Sequence, residues 1–208
     1  MKKLIYSLLT LILGLVLSGA GCIKQEAPEL GVTINGVTWA TRNVDAPGKF
    51  ADRPEDSGMF YQWNRNIGWS ATDPKKNSEG GVIWNATYST ATVWAPGNDP
   101  CPKGWRVPTK TELEKLDNVA VVKAAEVKGG KDVVSFTDGA NTLFMPIHGV
   151  RLGTDGELVG VGTFGTYISS TEGTANDFAF SLTIRKALTL GKGDMYKNDG
   201  GFVRCVKE

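Results

Sequence analysis

The chain has 208 residues, with Lys+Arg 23 against Asp+Glu 22 and one histidine, so it is close to neutral. A nucleic-acid binder presents a basic face, and no such excess exists here, which removes nucleic acid from the expected partners. Three cysteines and a lone histidine also give little material for a metal or cofactor site, and none is expected.

Lys2 and Lys3 lead into an apolar run over residues 4–17, which ends in Ser18-Gly19-Ala20-Gly21-Cys22. A membrane-crossing helix needs about 20 apolar residues. This shorter run with small residues behind it reads as a signal peptide over residues 1–21. The residues before Cys22 resemble the lipobox of bacterial lipoproteins, with Gly19 where Leu is commoner. Cys22 is therefore read as the lipidated, palmitate-bearing first residue of the mature chain. Two or more acyl chains, at about 0.8 kcal/mol per buried CH₂, hold a protein stably on a membrane. The expected location is the outer membrane, lipid-anchored and extracytoplasmic, with either face open. Ordinary secretion with Cys22 as an incidental thiol is the alternative.

Removing residues 1–21 takes away two lysines and no acid, which moves the formal charge from +1 to −1. Residues 22–30 are polar, contain a proline and lack periodicity, as a flexible tether does. Residues 31–208 then form a single domain; roughly 185 residues suffice for one hydrophobic core. With Cys22 acylated, Cys101 and Cys205 remain as an even pair in an oxidising compartment, and a disulfide between them is expected. A reactive or metal-binding pair is the alternative, against which stand the single histidine and the absence of CxxC spacing.

Val32-Thr33-Ile34, Asn35-Gly36 and Val37-Thr38-Trp39 predict a hairpin, because Asn-Gly supplies the positive-φ positions of a tight turn. Residues 46–81 are rich in Gly, Pro, Asp and Asn and read as long loops pinned by aromatics. Glycine makes up 26 of 208 residues against an average of about 7%, which argues against a helical bundle. The one clear helix starts at Pro108-Thr109, where Thr109 and Glu112 can cap each other reciprocally and Leu113 and Leu116 share a face. Residues 118–127 read as a second helical piece ended by Gly129-Gly130. Strands are predicted at 133–136 and 143–145 around the Asp138–Asn141 turn, and a final short strand at 201–206. Phe178, Phe180, Leu182 and Ile184 alternate with polar residues, as a strand with one buried face does.

Several blocks in this order resemble the Fibrobacter succinogenes major paralogous domain. They are Gly36-Val37-Thr38-Trp39-Ala40-Thr41-Arg42-Asn43-Val44, Tyr61-Gln62-Trp63-Asn64, Asn98-Asp99-Pro100-Cys101-Pro102-Lys103-Gly104-Trp105-Arg106-Val107-Pro108-Thr109 and Gly201-Phe202-Val203-Arg204-Cys205-Val206-Lys207. Residues 145–151 and 167–171 resemble two further blocks, with His148 where a small residue is commoner and Ile168 where Trp is commoner. The family is similar in turn to C-type-lectin-like folds, including the formylglycine-generating enzymes. The resemblance implies an α+β fold: terminal strands brought together, small twisted antiparallel sheets, one or two helices and long loops.

Candidate chemistry is sparse. His148 has no Gly-x-Ser-x-Gly elbow to serve and reads as a structural residue. Copper chemistry of the formylglycine-generating type would need the cysteines already assigned to a disulfide. Asp52, Glu55 and Asp56, and separately Asp194, Asn198 and Asp199, cluster as calcium ligands do, yet neither group carries the tripeptides of sugar-binding lectins, so both read as solvated loops. Trp39, Trp63 and Trp105 fall in family blocks and are assigned to the core. Trp69, Trp84 and Trp94 lie in the loop-rich part and are the candidate ligand-binding residues, since flat aromatics stack on sugars and protein partners. The expected function is a membrane-anchored binding module for a glycan or surface protein. A subunit of a fimbria or polysaccharide-utilisation assembly is the alternative, and a divergent enzyme the second.

Overall fold

The computed structural model describes residues 29–208; the signal peptide, Cys22 and most of the tether lie outside that range. The architecture is dominated by strands, arranged in three sheets, with one short helix.

The first sheet joins the two ends of the domain. Strands Val32–Ile34 and Val37–Trp39 form the predicted hairpin, with Asn35 at φ 45° and Gly36 at φ 73° in its turn. Val206 then pairs with Trp39 on one side and Arg106 on the other. Close by, Cys101 and Cys205 form a disulfide with a Cα–Cα distance of 6.0 Å. Pairing and crosslink thus tie residues far apart in sequence into one corner.

The second sheet has eight strands and carries most of the core. Its centre is Phe164–Glu172, antiparallel to Phe178–Arg185, which pairs in turn with Leu190–Tyr196. The strand is where the sequence placed it and Phe180, Leu182 and Ile184 are buried, but Ala179 and Ser181 on its other face are buried too, so both faces are covered over that length. On the other side follow His148–Arg151, Gly200–Phe202, Phe60–Gln62 and Gly68–Trp69. The C-terminal segment expected as one strand is split. Gly200–Phe202 belongs to this sheet and Val206–Lys207 to the first, because Arg204 between them is fully buried and turned onto the carbonyls of Ala40 and Phe144 and the Oδ1 of Asn43.

The third sheet is the meander Val122–Lys128, Lys131–Asp138, Asn141–Pro146. Its last two strands match the sequence reading. The first corrects it: residues 122–128 are an exposed edge strand rather than helix, and Gly129-Gly130 is a hairpin turn, both at positive φ, not a helix end. Ala, Glu and Lys favour helix by only tenths of a kcal/mol each, less than the full ladder to Lys131–Asp138 supplies.

The helix Lys110–Glu114 begins where the capping box predicts. The Thr109 side chain accepts from Glu112 N–H, and Glu112 Oε2 accepts from Thr109 N–H. Leu113 and Leu116 are both fully buried. Arg106 closes the unit with two hydrogen bonds to the Glu112 carboxylate, at 2.9 and 2.7 Å.

Candidate binding cleft

The long irregular stretch over residues 70–99 is held to the sheet by side chains that reach its carbonyls. Trp84 is the main peg. Its indole packs on Trp69 with ring centroids 4.9 Å apart, and its Nε1–H donates to Gly153 O at 3.0 Å. Gly156 and Gly200 make room for it, since a Cβ at either would come within 2.7 and 3.0 Å of the indole. Gln62 adds a clamp by donating to Asn85 O and Asn198 O, both at 2.6 Å. Two buried cations complete the fastening. Arg151 donates to Ser70 O, Thr72 O and Gly156 O; Lys197 donates to Ala91 O and Glu172 and lies over the Trp63 ring.

Two of the three loop tryptophans are therefore placed differently from expectation. Trp69 is 3% exposed and Trp84 9%, so neither ring offers a face to a ligand in this fold. A loop rich in turn residues reads as surface, yet it folds back and inserts these rings beneath itself. Trp94 is half-buried, edge-on to Trp63. It lines a cavity of about 410 Å³ with Asp99, Arg106 and Ser170, and its Nε1–H has no partner among the described residues.

The aromatic surface lies elsewhere. Tyr88, at 43% exposure, and Tyr196, at 47%, sit with ring centroids 5.8 Å apart, and Tyr196 stacks on Phe178 at 4.6 Å. The two tyrosines rim a cavity of about 470 Å³ whose wall is Leu152, Gly153 and Thr154 and whose floor is Asn198 and Asp199. Phe178 and Tyr196 face each other across paired strands, and the loop that Trp84 fastens brings Tyr88 over them. Sequence reasoning missed both tyrosines. Tyr196 does sit on an exposed position of a strand opposite Phe178, a cross-strand aromatic pair of the kind that stabilises a sheet face; Tyr88 carries no local signal.

The floor is polar and tightly built. Asn198 is 5% exposed; its Nδ2 donates to Ala86 O at 2.9 Å and Gly153 O at 3.2 Å, while its Oδ1 has no partner among the described residues. Asp199 accepts from Gly153 N–H at 2.7 Å. Burial pushes its carboxyl above the usual carboxylate range despite backbone hydrogen bonds to Gly153 and Tyr196 that pull the other way.

The other candidate groups are dispersed. Asp194 is turned onto Thr174, away from Asn198 and Asp199. Asp56 pairs with Lys131 at 2.6 Å and Arg53 at 3.3 Å, and Glu55 pairs with Arg53. No cluster of three or more His, Cys, Asp or Glu with metal-site geometry occurs among the described residues. His148 hydrogen-bonds Ala71 O through Nε2 at 2.8 Å, and burial lowers its basicity.

No protein family, curated protein or solved structure compared with the chain matches it.

Proposed function

We propose that this chain is a membrane-anchored, extracytoplasmic binding module with a C-type-lectin-like domain, and that it recognises a glycan at the cell surface through the Tyr88–Tyr196 cleft. The observation that carries this reading is the pair of exposed tyrosines, backed by Phe178, at the mouth of a cavity with a polar floor. Ligand pockets combine a large apolar surface with a few placed polar groups, and tyrosine supplies flat contact area at small entropic cost. The signal-peptide pattern, the lipobox-like residues before Cys22 and the Cys101–Cys205 disulfide support the compartment. The resemblance to the Fibrobacter succinogenes major paralogous domain supports the lectin-like fold, as do the paired chain ends and the long loops.

A glycan array read with the mature protein tests the function. Saturable binding is expected, and Tyr196→Ala should abolish it without altering the circular dichroism spectrum. Binding that ignores both Tyr88→Ala and Tyr196→Ala would remove the cleft from the reading. Metabolic palmitate labelling, lost in Cys22→Ala, tests the anchor.

A second reading, as a subunit of a surface assembly, is favoured by Val82, Ile83 and Val93, which are 61%, 86% and 71% exposed on the same loop. Clustered exposed apolar residues mark contact surfaces. Stable co-purification of a protein partner that Ile83→Asp removes would favour it.

A further inference from the structure

Taking the glycan-binding reading of the cleft as its premise, we infer that the cleft selects neutral, hydroxyl-rich pyranoses over sulfated and uronic sugars, and that it does so without calcium. The argument starts from which hydrogen-bonding groups the protein has already used. Both Asn198 N–H groups are spent on Ala86 O and Gly153 O, and the Gly153 N–H is spent on Asp199 Oδ1. Thr154 Oγ1–H is directed to Asp155. What the floor keeps for a ligand is one acceptor, the second carboxylate oxygen of Asp199; Asn198 Oδ1 also has no partner among the described residues but is sealed from solvent.

The ligand must therefore bring a donor, and apart from the two phenols the side chains lining the cleft have no uncommitted donor to offer an oxyanion. The open oxygen of Asp199 suits a sugar hydroxyl, while the C–H face of the ring lies on Tyr88 and Tyr196.

Charge sharpens the choice. Asp199 is the one acid among the lining residues, and no lysine, arginine or histidine lines the cleft. Arg65 reaches the same loop through the Thr87 carbonyl and hydroxyl and does not line the cleft. A sulfate or carboxylate would thus meet an acceptor and a like charge. The same inventory argues against calcium as the bridge to sugar. Calcium takes 6–8 oxygen ligands, and one carboxylate, already holding a backbone N–H, is a poor start. Burial also raises the proton affinity of Asp199, which works against holding a cation there.

The test is an array of neutral gluco-, manno- and galacto-configured oligosaccharides beside their sulfated and uronic counterparts, probed with the mature protein in EDTA. Neutral sugars should bind saturably with chelator present. Asp199→Asn should shrink the neutral-to-uronic preference by about two- to fivefold, the size of one screened charge contact. Binding confined to sulfated or uronic sugars, to basic peptides, or to calcium-containing buffer would overturn the inference. If such binding still required Tyr196, the cleft itself would stand. Loss of all saccharide binding would instead remove the glycan reading. The wild-type selectivity needs no variant, so a poorly folded Asp199→Asn would not blunt the test.

Discussion

Truncating Trp84 separates two roles that a sequence cannot distinguish, contact with ligand and fastening of the loop. The indole is 9% exposed, touches Trp69, donates one hydrogen bond to Gly153 O and fills space left by Gly156 and Gly200. Trp→Ala in a core costs about 3–5 kcal/mol, and the lower end applies here because the loop above can settle. About 3 kcal/mol lowers Tm by roughly 6–12 °C in a domain of this size. Trp84→Phe keeps the contact with Trp69 and loses one hydrogen bond. Gly153 O retains its bond from Asn198, so no acceptor is orphaned and the cost should be about 1 kcal/mol. Urea titration of both variants, with binding measured below the unfolding transition, gives the answer. The reasoning is refuted if Trp84→Ala is within about 0.5 kcal/mol of wild type, or if Trp84→Phe abolishes binding at unchanged stability, since the ring would then touch ligand directly.

Other outcomes follow from the same contacts. The disulfide spans a sequence separation of 104, for which chain entropy allows up to about 4.7 kcal/mol and practice usually less. Cys101→Ser with Cys205→Ser should lower stability by about 2–4 kcal/mol in urea; an unchanged midpoint would sink this. Burial alone would push the Glu112 carboxyl up, but Arg106 and Thr109 outweigh it and hold it at about 2. A depressed carboxyl stabilises the fold above its ordinary range near 4.5 and loses that contribution as pH falls towards 2. Glu112→Gln should therefore cost about 1–2 kcal/mol at neutral pH, discounted because Arg106 is partly solvated, and the gap to wild type should close in acid. A gap independent of pH would show that the ion pair is not its source.

Local chemistry made the hairpin, the helix start and the strand Phe178–Arg185 readable in the sequence. Asn35-Gly36 dictates its own turn, Thr109 and Glu112 cap each other within four residues, and period-two alternation needs no distant partner. What escaped depends on contacts between segments far apart. Residues 122–128 have helical composition but gain a ladder only once Lys131–Asp138 lies beside them. Trp69 and Trp84 sit among turn residues, and their burial comes from glycines at 156 and 200 that no local pattern connects to them. The cleft is assembled likewise: Tyr88 and Tyr196 meet only because Gln62, Trp84 and Asn198 fasten one loop to the sheet. Asn198 and Asp199 read in the sequence as part of a solvated loop, whereas in the fold Asn198 is buried and both line the cleft.

Guanidinium groups hooked onto backbone carbonyls give the fold an unusual indifference to its surroundings. Arg151 grips the carbonyls of Ser70 and Thr72, and Arg204, though burial lowers it to about 10, grips those of Ala40 and Phe144. An arginine keeps its proton throughout the biological range and a carbonyl has none to gain. Fastenings of this kind do not slacken in acid, as the Arg106–Glu112 pair must. The hooks that seat residues 70–72 on the sheet would therefore hold while the acidity outside drifts.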